Sequence, residues 1–295
     1  MNPWQALVLG LIEGVTEYLP VSSTGHLIVA QRMMGIGLAP EDKAAADCFA
    51  ICIQGGAIAA VLGLYWPRVR QMILGLLGKD KEGLHLFFAI VAGFLPAAVI
   101  GIIANDWIEQ KLFHFQWIAW AWFVGGVGIL GVDRWMKKGG GSEGAELARI
   151  TLKMAFLIGL MQCLAMWPGT SRSLMTIIAG VLVGLRLGAA VEFSFLLGLA
   201  TLGAATAKKA VWPVEGLEPE FDKAFGGALL MWERYGFLPL AVGIVAATIS
   251  AAVAVKWMVG YLNRRGLGVF GWYRIAAALA AALMIATNFL GLGAG

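Results

Sequence analysis

Apolar segments recur along this chain at about 4–19, 24–35, 45–66, 84–104, 116–135, 150–167, 173–186, 189–207, 235–258 and 268–290. A helix needs roughly 20 apolar residues to cross the hydrocarbon core of a bilayer, and six of these segments are suited to that task. Hydrophobic residues make up 60% of the 295, charged residues 14%, and the mean hydropathy is +0.79. Such a chain is too apolar for an ordinary soluble domain. The expected fold class is therefore an all-α polytopic membrane protein with six membrane-spanning helices.

The remaining segments form two pairs, 4–19 with 24–35 and 150–167 with 173–186, each split by a polar string containing proline. Their halves are short for spanning, which suits re-entrant helical hairpins that enter and leave on one side. The loops 67–82, 134–153 and 256–265 are rich in Lys and Arg, whereas 36–47, 105–115 and 212–234 are poor in them or acidic. The basic group is expected to be cytoplasmic, with Lys208 and Lys209 running against the rule. Threading the chain accordingly brings the first hairpin in from outside and the second from the cytoplasm. The expectation is an inverted-topology repeat: 1–137 with hairpin 4–35, a linker at 138–148 around Gly139-Gly-Gly-Ser-Glu-Gly144, and 149–295 with hairpin 150–186. The string Gly93-Phe-Leu-Pro-Ala-Ala-Val99 also recurs as Gly236-Phe-Leu-Pro-Leu-Ala-Val242. Cys48, Cys52 and Cys163 lie in apolar segments and read as small packing residues outside any disulfide framework. The first residues lack the pattern of a removable signal peptide. A formal charge of +4, spread over short loops, points to no nucleic-acid partner.

Polar groups at membrane depth are costly and read as functional. In the first break Glu13 and Glu17 are four apart and share a helix face. Two carboxylates side by side in low dielectric need a cation or a shared proton, and a divalent ion such as Mg²⁺ or Ca²⁺ fits. A helix merely reaching the interface with its acidic face in water would show the same pair. Ser22, Ser23 and Thr24 precede Gly25 and His26. Hydroxyls here are ordinary helix caps, but a histidine three residues from a serine can also serve as general acid or base. In the second break Arg172 stands among Thr170, Ser171, Ser173 and Thr176. A guanidinium cannot shed its proton and needs an anion. With hydroxyls and a helix N-terminus it makes a phosphate cradle, although a structural pairing with Glu13 or Glu17 is compatible with the same residues.

The strings Glu13-Gly-Val-Thr-Glu17-Tyr-Leu-Pro-Val-Ser-Ser-Thr-Gly-His26 and Pro168-Gly-Thr-Ser-Arg-Ser173 resemble the two signature motifs of undecaprenyl-diphosphate phosphatases, the bacitracin-resistance family. The likeness extends through Glu192-Phe-Ser-Phe-Leu-Leu197 and Tyr273-Arg274. It departs at Ala50, after Phe49, where an acidic residue is common, and at Ala200, where proline is common. The resemblance implies hydrolysis of the C55 lipid diphosphate to the monophosphate carrier of cell-wall synthesis, with Mg²⁺ or Ca²⁺. It implies a site open to the periplasm of a bacterial inner membrane, with Glu13, Glu17, Ser23, His26 and Arg172 as catalytic positions. Glu13 and Glu17 would hold the metal. Ser22, Thr24, Thr170, Ser171, Ser173 and Thr176 would line the substrate. The partners expected are the lipid diphosphate and the bilayer, with a homodimer left open.

Ser23 with His26 as its base, and metal-activated water with the same base, are the two mechanisms this reading leaves open. A polyprenyl-phosphate flippase would use the same midplane groups on an inverted repeat, and is the alternative function. A phosphatidic-acid type of phosphatase needs a second histidine after the Ser-Arg pair, and none occurs beyond His114.

Overall fold

A computed structural model describes residues 1–112, 114–139, 144–211 and 226–291. Most of the Gly-rich linker string and the acidic stretch holding Glu215, Glu218, Glu220 and Asp222 lie outside the described residues. Among those described there are twelve α-helices and one isolated bridge, Ala145 to Leu185. Six helices are long and apolar enough to cross a membrane: Asp42–Leu64, Lys81–Ala104, Phe115–Lys137, Leu187–Val211, Phe237–Leu262 and Gly268–Ala286. The chain is a multi-pass membrane protein.

In chain order the first half comprises α1 (Pro3–Thr16), α2 (Ser23–Met33), α3 (Pro40–Leu64), α4 (Trp66–Leu76), α5 (Lys81–Leu112) and α6 (Phe115–Lys137). The second comprises α7 (Leu152–Gln162), α8 (Arg172–Leu182), α9 (Leu187–Val211), α10 (Gly226–Tyr235), α11 (Phe237–Arg265) and α12 (Gly268–Ala286). Element for element the halves correspond. The helices after each break, α2 and α8, have 11 residues each, and α3 and α9 have 25 each. Two elements read as loop are helical. Trp66–Leu76 and Gly226–Tyr235 are short helices that turn the chain between spans. Neither has the length that hydropathy detects, and basic residues mask the first.

Hydrocarbon gives helices no hydrophobic reason to associate, so close approach through small residues holds them together. Here each half's leading helix packs on the other half. A Cβ on Gly10 of α1 would lie 2.3 Å from the Gly243 carbonyl oxygen of α11, and one on Gly159 of α7 would lie 2.2 Å from that of Gly93 in α5. Gly10 thus answers to Gly159, and Gly243 to Gly93. The matched heptapeptides are out of register with this equivalence: Gly93 lies inside α5, while Gly236 is the N-cap of α11. The two halves close on each other again where α6 meets α12, with Gly126 and Gly271 at the crossing. Cys48, Cys52 and Cys163 are free thiols.

Candidate functional site

Both breaks reverse the chain with the same backbone device. Ser22 precedes α2 at φ 71° and ψ 109°, and Ser171 precedes α8 at φ 74° and ψ 116°. These are conformations that L-residues avoid, and such strain gathers at functional sites. The two N-termini differ in how they are capped. The Ser171 hydroxyl accepts from the Leu174 amide at 3.3 Å, while Ser22 makes no side-chain cap. The first N–H groups of α2 are therefore available to an anion.

Three ties join the breaks. Ser173 donates its hydroxyl to the Leu19 carbonyl at 3.1 Å. Arg172 Nη2 lies 3.4 Å from Glu17 Oε1. Arg274, on α12, is 0% exposed and donates to the carbonyls of Gly169 at 2.8 Å and Pro20 at 3.4 Å, one from each break, and to those of Ala121 at 2.7 Å and Trp122 at 3.4 Å. A buried guanidinium whose three nitrogens all donate to carbonyls cross-links the region.

Glu13 is 0% exposed, and among the described residues neither of its carboxylate oxygens has a hydrogen-bond partner. It shares its chamber with Glu17, Ser23 and Gln54. Ser23 donates to Glu17 Oε2 at 2.7 Å. Arg172 also donates through Nη1 to the Ser194 carbonyl at 3.0 Å, and its Cζ stands 5.3 Å from the Tyr18 ring centroid, within reach of a cation–π attraction. Arg172 Nε and the Tyr18 hydroxyl are likewise buried without partners among the described residues. Buried polar atoms are nearly always satisfied, so this cluster marks a place built to receive a polar ligand. Two adjacent carboxylates with a serine hydroxyl and an amide form an all-oxygen donor set on the acceptor side, which suits a hard divalent cation.

The structure brings together Glu13, Glu17, Ser23 and Arg172. His26 stands apart from Ser23. Its Nδ1 lies 2.6 Å from the Ser22 carbonyl oxygen, its Nε2 lies 2.7 Å from the Tyr273 hydroxyl, and its ring lies 4.9 Å from that of Trp122. The hydroxyls of the second break are largely committed to protein. Ser171 bonds Ser173 at 3.0 Å, and Thr176 bonds the Arg172 carbonyl at 2.9 Å and the Ser194 hydroxyl at 2.6 Å. Thr24 and Thr170 are half-buried beside the turns. Tyr18, Gln54, Trp122, Ser194 and Arg274 belong to the site without having been singled out as site residues. Ser194 and Arg274 carry a signal in the sequence, since they lie in the strings that extend the resemblance. Tyr18 lies within the first signature string, whereas Gln54 and Trp122 lie in apolar helices that carry no chemical signature.

A groove of about 580 Å³ adjoins the breaks. Leu11 and Val15 of α1, Met33 of α2, Phe115 of α6 and Ala277 of α12 give it an almost wholly apolar wall, in which Thr16, His26 and Tyr273 are polar. A site that pairs a carboxylate–arginine chamber with an apolar groove suits an amphiphile with an anionic head.

The family model described as bacitracin resistance protein BacA matches residues 6–280. The chain belongs to this family. It is similar to an undecaprenyl-diphosphatase of Sorangium cellulosum, 38% identical over 92% of this chain and 83% of that one. It is likewise similar to undecaprenyl-diphosphatase 3 of Acinetobacter baylyi, at 39% over 93% and 95%. An undecaprenyl-diphosphatase of Cereibacter sphaeroides is 39% identical over 94% and 96%. Both breaks and Arg274 fall within the span that the family model covers.

Proposed function

We propose that this chain hydrolyses undecaprenyl diphosphate to undecaprenyl phosphate and inorganic phosphate, returning the lipid carrier to cell-wall synthesis and conferring resistance to bacitracin. The observation that carries this is the juxtaposition of the Glu13–Glu17–Ser23–Arg172 chamber with the apolar groove. The relatives' names point to the same chemistry and favour it over lipid translocation.

The isoprenoid tail lies in the groove and the diphosphate reaches between the breaks. Arg172 and the open N–H groups of α2 bind the terminal phosphate and stabilise charge that develops on its oxygens. Ser23 Oγ attacks the terminal phosphorus in line, and its proton passes to Glu17, with which it already bonds. The bond from that phosphorus to the bridging oxygen breaks, and the lipid monophosphate leaves along the groove. Water then cleaves the phosphoserine and regenerates the hydroxyl. Glu17 thereby takes the role that sequence spacing alone offers to His26, because the serine hydroxyl points at the carboxylate. Glu13, with Glu17 beside it, would hold Mg²⁺ or Ca²⁺, which when bound neutralises diphosphate oxygens.

The loop charges support a cytoplasmic placement of 67–82, 134–153 and 256–265, and the family resemblance implies a bacterial inner membrane with the site open to the periplasm. Phosphate release from farnesyl or undecaprenyl diphosphate by the solubilised protein tests the assignment. Glu17→Ala and Arg172→Ala should each abolish it, and near-normal rates in both would refute the reading. If Ser23→Ala keeps a high rate, the nucleophile is water and not the serine.

A further inference from the structure

Tyr273 is held in a way that the chamber chemistry does not require. It follows Trp272 on the outward face of α12, and the next residue, Arg274, is fully buried and anchored to both breaks. The backbone of Tyr273 is therefore fixed relative to His26. The His26 Nδ1 lies 2.6 Å from the Ser22 carbonyl oxygen. A carbonyl only accepts, so Nδ1 carries the proton, and Nε2 of the neutral ring is an acceptor. The Tyr273 hydroxyl at 2.7 Å is then the donor to Nε2. The two rings stack with centroids 5.7 Å apart and planes within 14°. Trp122 lies 4.9 Å away and tilted. Both nitrogens and the ring plane of His26 are thus constrained. The backbone of the strained Ser22 holds one edge and Tyr273 holds the other, at the head of the groove.

We propose that Tyr273 is a positioning residue of the hydrolytic site. Its hydroxyl donates to Nε2 of the Nδ1–H tautomer and so holds the imidazole at the head of the groove, beside the end where the lipid-bearing phosphate lies. This rests on the phosphatase reading. The Ser22 carbonyl sets the tautomer, and the Tyr273 hydroxyl pins the opposite edge of the ring. The stacked ring sets the plane. The second motif does not provide this function, since Met175 follows Ser171 where His26 follows Ser22.

Tyr273→Phe keeps the ring, the stack and the groove wall, and removes only the hydroxyl. Turnover of farnesyl diphosphate by the full solubilised chain should fall about tenfold in kcat, the effect of one lost hydrogen bond, with KM within about twofold. Side-chain ¹⁵N NMR supplies a readout that a structural role would not move. The chain has 3 histidines, so their signals are separable. The wild type should show His26 protonated at Nδ1 and bare at Nε2, and the variant should lose the hydrogen-bond shift at Nε2. A wild-type His26 protonated at Nε2, or a Tyr273→Phe enzyme with wild-type kcat, overturns the proposal. If the wild type releases no phosphate, the phosphatase reading fails instead, and the tautomer measurement still decides how Tyr273 and His26 are paired.

Discussion

Gly198 on α9 separates the fold from the chemistry at a single atom. A Cβ added there would lie 2.5 Å from Arg172 Nη1, 2.8 Å from Cζ and 3.0 Å from Nη2. Carbon and nitrogen atoms in ordinary contact stand about 3.5 Å apart, so Gly198→Ala forces the guanidinium to move by about 1 Å. The 3.0 Å bond from Nη1 to the Ser194 carbonyl is lost, and the 3.4 Å approach to Glu17 is reset. Misplacement of a binding group on this scale costs about 100-fold in rate, or ~2.7 kcal/mol at 1.36 kcal/mol per decade. The obstructed atoms are the end of a flexible side chain, and alanine is better than glycine in a helix by roughly 0.5–1 kcal/mol. The unfolding midpoint should therefore hold or rise while activity falls. Phosphate release from farnesyl diphosphate in detergent, paired with a thermal melt of the same sample, reads both quantities. A rate within threefold of wild type would refute the placement of Arg172 at the reacting phosphate. A clear drop in the melting point would show that the backbone, rather than the guanidinium, absorbs the clash.

Three further outcomes follow from the site. Glu13→Gln should melt no lower than wild type in chelator, because it replaces a buried acid that has no cation beside it with a neutral isostere, and should lose the stabilisation of about 2.7 kcal/mol that a divalent ion gives wild type at 100 times its Kd; equal responses of the two proteins to Mg²⁺ and Ca²⁺ would count against Glu13 as a ligand. Arg274→Leu strips both breaks of a shared donor and should lower stability by about 3–5 kcal/mol together with activity, and a loss under 1 kcal/mol in the melt would be inconsistent with the cross-link described. Ser22→Gly relieves the φ of 71° and should stabilise the chain by about 1 kcal/mol, whereas an unchanged or lower melting point would mean the Ser22 hydroxyl contributes more than the strain costs.

Much of this architecture was legible along the chain. The six spans and the two breaks appear as hydropathy and its interruption, because a bilayer demands a fixed apolar length and penalises polar backbone within it. Glu13, Glu17, Ser23 and Arg172 were visible for the same reason, as groups that hydrocarbon tolerates only with a partner. The helices Trp66–Leu76 and Gly226–Tyr235 were not, being too short for any length criterion and stabilised by packing at the ends of spans. The register of the helix crossings was not legible either. It is set by which glycines let backbones touch, and Gly243 and Gly159 look like any other glycine in the sequence.

Pairing within the site was decided by tertiary structure alone. Sequence distance offers His26 to Ser23 because the two are three residues apart. In space the strained turn at Ser22 directs the Ser23 hydroxyl to Glu17 and the imidazole to the groove, where Tyr273 meets it from 247 positions away. Arg274 lies in a string that extends the resemblance, but only the fold shows that it is the group that holds both breaks. The membrane dictates along the chain where polar groups are costly. Which of them meet depends on the crossing of helices from opposite halves, and that is a property of packing that no local stretch of sequence contains.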